Sequence, residues 1–172
     1  MQSQNKNNKA SPSMSTAPSF NKSKLADRGK SAENAVDKYL KEWQLGSTRR
    51  EFTRLLDSKA AGRIIKASAA DFEYFSSTEA HGVFGLIEVK QTEHLYRLER
   101  PKLPQLARMR KRTKCGGSCY VLVFHSAIEQ WRVVDITWLA NNGDLGSWNL
   151  TDFPLYEAPG DALISIDRSI FY

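Results

Sequence analysis

The sequence predicts an α/β fold, in which a mixed central sheet is flanked by helices and preceded by a flexible N-terminal arm. Apolar runs of strand length recur at residues 70–75, 82–90, 119–124 and 131–136. Patterns of helical period precede and separate these runs, an order that favours helices packed on a sheet of mixed strand direction. With 172 residues, 41% of them hydrophobic, the chain can build one core. We therefore expect one domain at 28–172.

Residues 1–27 form the predicted arm. They are rich in Ser, Asn and Lys and poor in large apolar side chains, so they bury too little surface to offset the entropy cost of ordering. The chain begins without a signal-peptide pattern, and no apolar run approaches the roughly 18 residues of a membrane span. We expect a cytoplasmic protein, bacterial or viral, without a membrane partner. Cys115 and Cys119 lack the second ligand pair of a zinc site, so we expect reduced thiols.

Two helices are predicted before the first strand. Ser31 is a candidate N-cap for a helix over 32–43, with apolar residues at helical spacing. Thr48 to Glu51 matches a capping box and predicts a second helix that begins near Phe52. The arginines of this second segment make it a candidate DNA contact.

The second half of the chain predicts two more helices. Pro104 would begin a helix over 105–114, with Met109 towards the core and the arginines outward. A short helix near 137–140 follows the last strand. Trp148 is the tryptophan that we expect to be exposed. The histidines lack ligand spacing or a nucleophile partner, and we expect them on the surface or in loops: His81, His94 and His125.

Positive charge is concentrated in two places. The net charge is +6, and residues 97–114 alone hold eight Lys and Arg against one Glu, while residues 1–30 hold six against one Asp. A localised basic block favours a polyphosphate partner such as DNA, although a charge run is also typical of a solvated face. The candidate DNA-binding residues are Lys30, Arg49, Arg50, Arg54, Arg97, Arg100, Lys102, Arg108, Arg110, Lys111 and Arg112.

Two acids and a lysine form the candidate site. Asp71 starts one apolar run, and Glu88-Val89-Lys90 ends the next. Alternate side chains of a strand share a face, so Glu88 and Lys90 point the same way. Mg²⁺ prefers carboxylate, carbonyl and water oxygens. The predicted metal ligands are therefore Asp71, Glu88 and the backbone carbonyl of Val89, and Mn²⁺ is expected to substitute.

The predicted chemistry is phosphodiester hydrolysis. A metal ion polarises the phosphate and lowers the pKa of a bound water, and Lys90 would orient or deprotonate that water or stabilise the pentavalent phosphate. Glu33, on the border of the apolar stripe of the first helix, and Gln105 are further catalytic candidates. An E-x-K triplet alone is also typical of an ordinary surface pair, so the prediction depends on its neighbours.

In these residues the chain resembles the PD-(D/E)xK nuclease superfamily and, more narrowly, the RecU-type Holliday junction resolvases. The likeness covers roughly residues 28–172. It is carried by Arg28-Gly29 with Glu33, and by the segments 67–72, 86–92, 104–109, 117–123, 164–167 and 171–172.

The resemblance implies a restriction-endonuclease-like fold and a Mg²⁺-dependent homodimer that nicks two strands of like polarity across a four-way DNA junction. The products would carry 5′-phosphate and 3′-hydroxyl ends. Position by position, Asp71 and Glu88 match the metal ligands and Lys90 the motif lysine. Glu33 matches the acid of the first helix, and Gln105 the helix glutamine.

Two segments depart from the family pattern. Ala69-Ala70 stands where the family commonly has threonines, and 44–66 matches poorly the projecting stalk of relatives. Alternatives therefore stay open. The same chemistry would suit a nickase, a flap nuclease or a restriction-type enzyme, and a non-catalytic junction-binding recombination factor would share the basic residues.

Overall fold

The computed structural model describes residues 22–55, 68–77, 81–142 and 146–166. Within them the chain forms helices, strands and one 3-10 turn. In chain order the elements are α1 (Lys22–Leu45), β1 (Arg50–Arg54), β2 (Phe72–Ser77), β3 (Gly82–Thr92), β4 (Arg97–Glu99), the 3-10 turn (Arg100–Lys102), α2 (Leu106–Lys114), β5 (Ser118–His125), β6 (Gln130–Asp135), α3 (Ile136–Asn141), β7 (Ser147–Asn149) and α4 (Pro159–Ile164).

Five strands form a mixed central sheet in the order β1-β2-β3-β5-β6. β3 and β5 are parallel, and every other neighbouring pair in this sheet is antiparallel. A parallel pair needs a crossover connection, which β4 and α2 provide. β4 pairs with β7 in a separate two-stranded sheet. The predicted fold, a mixed sheet flanked by helices, is confirmed.

Helices cover both faces of the sheet. Val36 and Leu40 of α1 pack in one apolar cluster with Ile87 and Val89 of β3, and α4 joins the same cluster. On the other face Met109 of α2 packs in a second cluster that includes residues of α3 and β5. Side chains alternate along a strand. Glu88 and Lys90, on either side of Val89, therefore point to the α2 face.

Gly85 allows β3 and β5 to come close together. A Cβ added to Gly85 would lie 1.7 Å from the carbonyl oxygen of Ser118, its register partner. The hydroxyl of Tyr74 donates a hydrogen bond of 3.0 Å to the same carbonyl. Because only glycine fits here, this position fixes the register of β3 against β5.

Most predicted strands and the later helices are confirmed. The apolar runs correspond to β2, β3, β5 and β6. Gln105 is the N-cap of α2, Met109 is buried, and Gly116, with φ +89°, follows the end of the helix. Glycine is the common residue for this left-handed conformation after a helix. The predicted short helix is α3.

Two predictions before β2 are wrong. α1 begins at Lys22, so Ser31 lies inside the helix and is not its N-cap. The described start of the segment predicted as a second helix forms β1 instead, with Phe52 paired to Tyr74. The ring of Phe52 packs against Phe72, 6.4 Å between centroids. Pairing with β2 overrides the local capping pattern because strand formation depends on such cross-strand contacts.

Two predictions of exposure are also wrong. Trp148 is 1% exposed, and its indole N–H donates a hydrogen bond of 3.0 Å to the carbonyl of Leu139. β7 pairs with β4, and Trp148 lies opposite Leu98 in that pair. No local sequence pattern indicates this pairing. His125 is fully buried, where the side chain of Arg132 and the carbonyl of His94 satisfy its two ring nitrogens.

Residues 1–21, 56–67, 78–80, 143–145 and 167–172 lie outside the described residues. The last of these ranges includes residues 167 and 171–172 of the segments that carry the family likeness. The predicted division into an arm at 1–27 and a domain at 28–172 stays a prediction. In the part of the chain that is described, no helix combines the length and apolarity needed to cross a membrane.

Candidate active site

The register of β2 against β3 brings Asp71 to Glu88. Phe72 pairs with Ile87 in an antiparallel ladder, so the preceding and following residues come opposite each other. At this point the carboxylate of Asp71, and not a backbone carbonyl of β2, accepts the hydrogen bond from β3. Its Oδ2 accepts a hydrogen bond of 2.7 Å from the N–H of Val89. The end of the ladder thus fixes the first acid beside the second.

Glu88 is a fully buried carboxylate with one bound oxygen and one free oxygen. Lys90, two residues on along the same face of β3, donates a hydrogen bond to its Oε1. Its Oε2 is buried and finds no hydrogen-bond partner among the described residues. The pKa of Glu88 is raised to about 7, mainly by burial and also by the neighbouring Asp71, while Lys90 opposes both. Burial also raises the pKa of Asp71.

Two adjacent buried acids lower the stability of a folded protein when they are ionised. Each disfavours the ionised form of the other, and burial removes the water that would stabilise the charge. Such arrangements cluster at functional sites, where a cation or a proton transfer uses the perturbed groups. An unpartnered buried carboxylate oxygen therefore indicates a place for a cation.

The oxygen atoms present fit Mg²⁺. Asp71 and Glu88 supply carboxylates. In a strand the N–H and C=O of one residue face the same neighbour, so the carbonyl of Val89 is directed to the side of Asp71. The described residues contain no group of three or more His, Cys, Asp and Glu arranged to hold a metal. Mg²⁺ is typically bound by one or two carboxylates with several waters, which agrees with two acids and a carbonyl.

Gln105 stands at the start of α2, on the same face of the sheet as Glu88. Its Oε1 is buried and also without a hydrogen-bond partner among the described residues. The guanidinium of Arg108, in the first turn of α2, donates a hydrogen bond of 3.4 Å to the carbonyl of Ser68. This bond ties the first turn of the helix to the segment that leads into Asp71.

Glu33 of α1 lies close enough to the site to raise the pKa values of Asp71 and Glu88. It is already paired, however, since Arg54 at the end of β1 contacts its Oε2 at 2.7 Å. The guanidinium of Arg54 also donates to the side chain of Asn34, 3.0 Å away. The sequence named both charged residues but could not indicate this pair, which joins positions 21 residues apart.

The candidate DNA-binding residues lie on several elements around the site. Lys30 is exposed on α1, Arg49 precedes β1, and Arg50 stacks on the ring of Trp43 at 5.5 Å. Lys102 is paired with Glu99 at 3.3 Å. The remaining candidates are exposed on β4, the 3-10 turn and α2: Arg97, Arg100, Arg108, Arg110, Lys111 and Arg112. Their contacts with DNA remain a prediction.

Fold and site together define the class: a mixed α/β protein with a buried site of two carboxylates and a lysine. A scan against protein-family models and a search of curated proteins gave no match. Among solved structures the chain is similar to Hjc of Archaeoglobus fulgidus, a Holliday junction resolvase from an archaeal hyperthermophile. The identity is 16%, the match covers 80% of this chain and 99% of that chain, and the TM-score is 0.48. At this identity the likeness concerns the fold alone.

Proposed function

We propose that the protein is a Mg²⁺-dependent, structure-selective DNA endonuclease that resolves four-way (Holliday) junctions, a RecU-type resolvase of the PD-(D/E)xK superfamily. It would act as a homodimer on two strands of like polarity, leaving 5′-phosphate and 3′-hydroxyl ends. The observation that carries the proposal is the convergence of Asp71, Glu88 and Lys90, with one buried carboxylate oxygen left without a partner.

The metal would be held by the carboxylates of Asp71 and Glu88 and by the carbonyl of Val89. When bound, Mg²⁺ supplies a Lewis acid for the phosphate and lowers the pKa of a water molecule. The chain must keep Glu88 ionised to bind it. Lys90 favours that ionised form, since its ammonium group lowers the pKa of Glu88 against the effect of burial.

Lys90 would be the cation at the reacting phosphate. Its side chain is 20% exposed, while that of Glu88 is fully buried, so the ammonium lies at the border between the buried acid and the solvent. A group in this position can orient a water molecule or stabilise negative charge that develops on the phosphate. Gln105 would complete the site with its unpartnered amide oxygen, which would accept a hydrogen bond from a water molecule.

Basic side chains would position the DNA backbone. α2 presents Arg110, Lys111 and Arg112 to solvent beyond Gln105, and phosphate contacts of this kind give affinity without reading sequence. Binding should therefore weaken steeply with salt. Junction selectivity would have to come from the placement of two sites across a branched substrate, which is the reason for proposing a dimer.

The test is cleavage of a synthetic mobile four-way junction, labelled in turn on each strand, by the purified full-length protein with Mg²⁺. We expect symmetric nicks in two opposite strands that DNA ligase reseals, which requires 5′-phosphate and 3′-hydroxyl ends. Light scattering should give a dimer. Cleavage of plain duplex at an equal rate would contradict junction selectivity and favour a nickase or restriction-type enzyme.

Site variants distinguish catalysis from binding. Asp71→Ala and Lys90→Ala should each lower the cleavage rate at least about 100-fold, because metal and charge stabilisation are lost. Asp37→Asn is the matched control, a carboxylate on α1 that is paired with Lys41 at 2.6 Å, and it should cleave as the wild type. Full activity of Asp71→Ala would overturn the site. Junction binding without cleavage by the wild type would favour a non-catalytic recombination factor.

A further inference from the structure

The loop between β3 and β4 carries exposed apolar side chains on a tightly held backbone. Leu95 and Tyr96 are 47% and 50% exposed. They lie in the four-residue connection 93–96, which directly follows the strand of Lys90. Large exposed apolar residues on a solvent-facing loop would ordinarily be free to turn inward.

Four consecutive backbone carbonyls, those of residues 94 to 97, each accept a hydrogen bond. His125 Nδ1 lies 2.6 Å from the carbonyl of His94, and the guanidinium of Arg132 donates to that of Leu95. Leu150 N–H donates to the carbonyl of Tyr96 over 2.7 Å. The carbonyl of Arg97, the first residue of β4, accepts a hydrogen bond of 3.2 Å from the hydroxyl of Thr92.

The donors of these bonds belong to the protein interior. His125 is fully buried and Arg132 is 6% exposed. Because a carbonyl only accepts, His125 Nδ1 carries the proton, and its Nε2 accepts from Arg132 at 3.0 Å. Arg132 also donates to the carbonyl of Phe153 over 2.9 Å. Burying a guanidinium is expensive unless all its partners are fixed, so the fold commits a costly group to holding this loop still.

Apolar side chains that point outward from a fixed backbone are suited to contact with a binding partner. Little further backbone freedom is lost when a partner covers Leu95 and Tyr96, since the backbone of the loop is already held. Aromatic rings are efficient partners for nucleobases, because every base presents a flat face for stacking. Apolar side chains inserted between base steps also stabilise unstacked DNA.

The loop lies within reach of a substrate held at the site. Tyr96 lies six positions after Lys90, so their backbones are at most about 20 Å apart. That distance corresponds to about six nucleotides of duplex DNA. The charge of the surroundings suits a nucleic acid, since Arg97 and Arg100 follow the loop and are exposed. The loop also contains an exposed acid, Glu93, and the next acid along the chain, Glu99, is paired with Lys102 at 3.3 Å.

We propose that Leu95 and Tyr96 form a wedge that stacks on unpaired or unstacked bases of the substrate within about six nucleotides of the cleaved phosphate. The wedge rests on the proposed nuclease function and adds the feature of the DNA that is recognised, namely bases that have left the helical stack. It would thereby favour branched over continuous duplex DNA.

The test is binding of a four-way junction and of a plain duplex of equal length by the full-length protein in EDTA, where no cleavage occurs. The junction carries 2-aminopurine at successive positions near the branch, a base whose fluorescence changes on stacking. Tyr96→Ala and the double variant with Leu95→Ala should bind the junction about 5- to 100-fold more weakly, as expected for lost base stacking. Their affinity for duplex should stay unchanged.

Two control variants accompany this measurement. Tyr96→Trp keeps an aromatic face and should retain junction affinity and the fluorescence change. Leu45→Ala removes the side chain of an 87% exposed leucine at the end of α1 and should bind as the wild type. Both altered loop residues are half exposed, so urea midpoints close to that of the wild type are expected.

Three outcomes would overturn the wedge. Equal junction affinity of wild type and Tyr96→Ala, with cleavage by the wild type intact, would refute the wedge and leave the nuclease proposal standing. Conversion of a dimer to a monomer by the double variant would assign these side chains to an interface between copies of the chain. A wild type that neither binds nor cleaves any DNA would refute the proposed function and the wedge with it.

Discussion

Replacing Glu88 with glutamine should make the metal-free protein more stable while it abolishes cleavage. Glu88→Gln keeps the size of the side chain and an oxygen for Lys90, and it removes the buried negative charge beside Asp71. Glutamine thus resembles the protonated acid. Functional sites commonly contain groups that lower the stability of the fold, because those groups are needed for activity.

The magnitude follows from the pKa of Glu88. Raising it from 4.5 to about 7 means that the folded state binds the proton more tightly than the unfolded state does. The stabilising effect of that proton is complete below about pH 4.5 and is lost as pH rises through 7. At pH 8 the ionised side chain therefore costs about 3 kcal/mol. For a chain of this length the glutamine variant should melt about 6–12 °C higher at pH 8.

The assay is urea unfolding in EDTA, followed by tryptophan fluorescence, at pH values from 5 to 8. We expect the advantage of Glu88→Gln over the wild type to grow with pH and to approach its full value near pH 8. Glu99→Gln is the control, since the side chain of Glu99 is 45% exposed and its replacement should change stability by less than about 0.5 kcal/mol at any pH.

One result would refute this reasoning. If Glu88→Gln were less stable than the wild type at pH 8, or if the two stability curves ran parallel with pH, Glu88 would be a structural partner of Lys90 and not a strained metal ligand. The cleavage assay is independent of this outcome, and there the variant should lose at least about 100-fold in rate.

Three further predictions concern metal affinity and the scaffold. Mg²⁺ affinity measured by calorimetry should rise up to about tenfold per pH unit below 7 and level off above, because Glu88 must lose its proton to bind. Arg132→Met should lower the free energy of unfolding by about 2–4 kcal/mol, since it leaves buried carbonyls without donors. Gly85→Ala should destabilise by at least about 2 kcal/mol, because its Cβ would clash with Ser118, whereas Gly146→Ala meets nothing within 4 Å.

Each of these predictions has a contrary result. A pH-independent metal affinity would indicate that Glu88 does not bind the ion. Unchanged urea midpoints for Arg132→Met would mean that water replaces its bonds and that the loop does not depend on it. Equal stability of the two glycine variants would contradict the close approach of β3 and β5.

The sequence predicted elements well wherever burial alone decides the structure. β5 is buried on both faces, so its continuous apolar run was sufficient. α2 was predicted because Pro104, Met109 and the glycines after it follow local rules for helix start, packing and end. β1 was missed, because none of its side chains is fully buried, with Arg50 and Phe52 only half-buried, and its strand state depends on pairing with β2.

The candidate site divides in the same way. The amino-acid sequence by itself determined the chemical groups, since Asp71, Glu88 and Lys90 follow from strand alternation and from the oxygens that Mg²⁺ prefers. Only the tertiary structure decided their state. The end of the β2 ladder, the complete burial of Glu88 and the pairing of Glu33 with Arg54 arise from contacts between residues at least 18 positions apart. Electrostatic energies depend on such distances and on burial. Neither the distances nor the burial can be derived from the local order of residues.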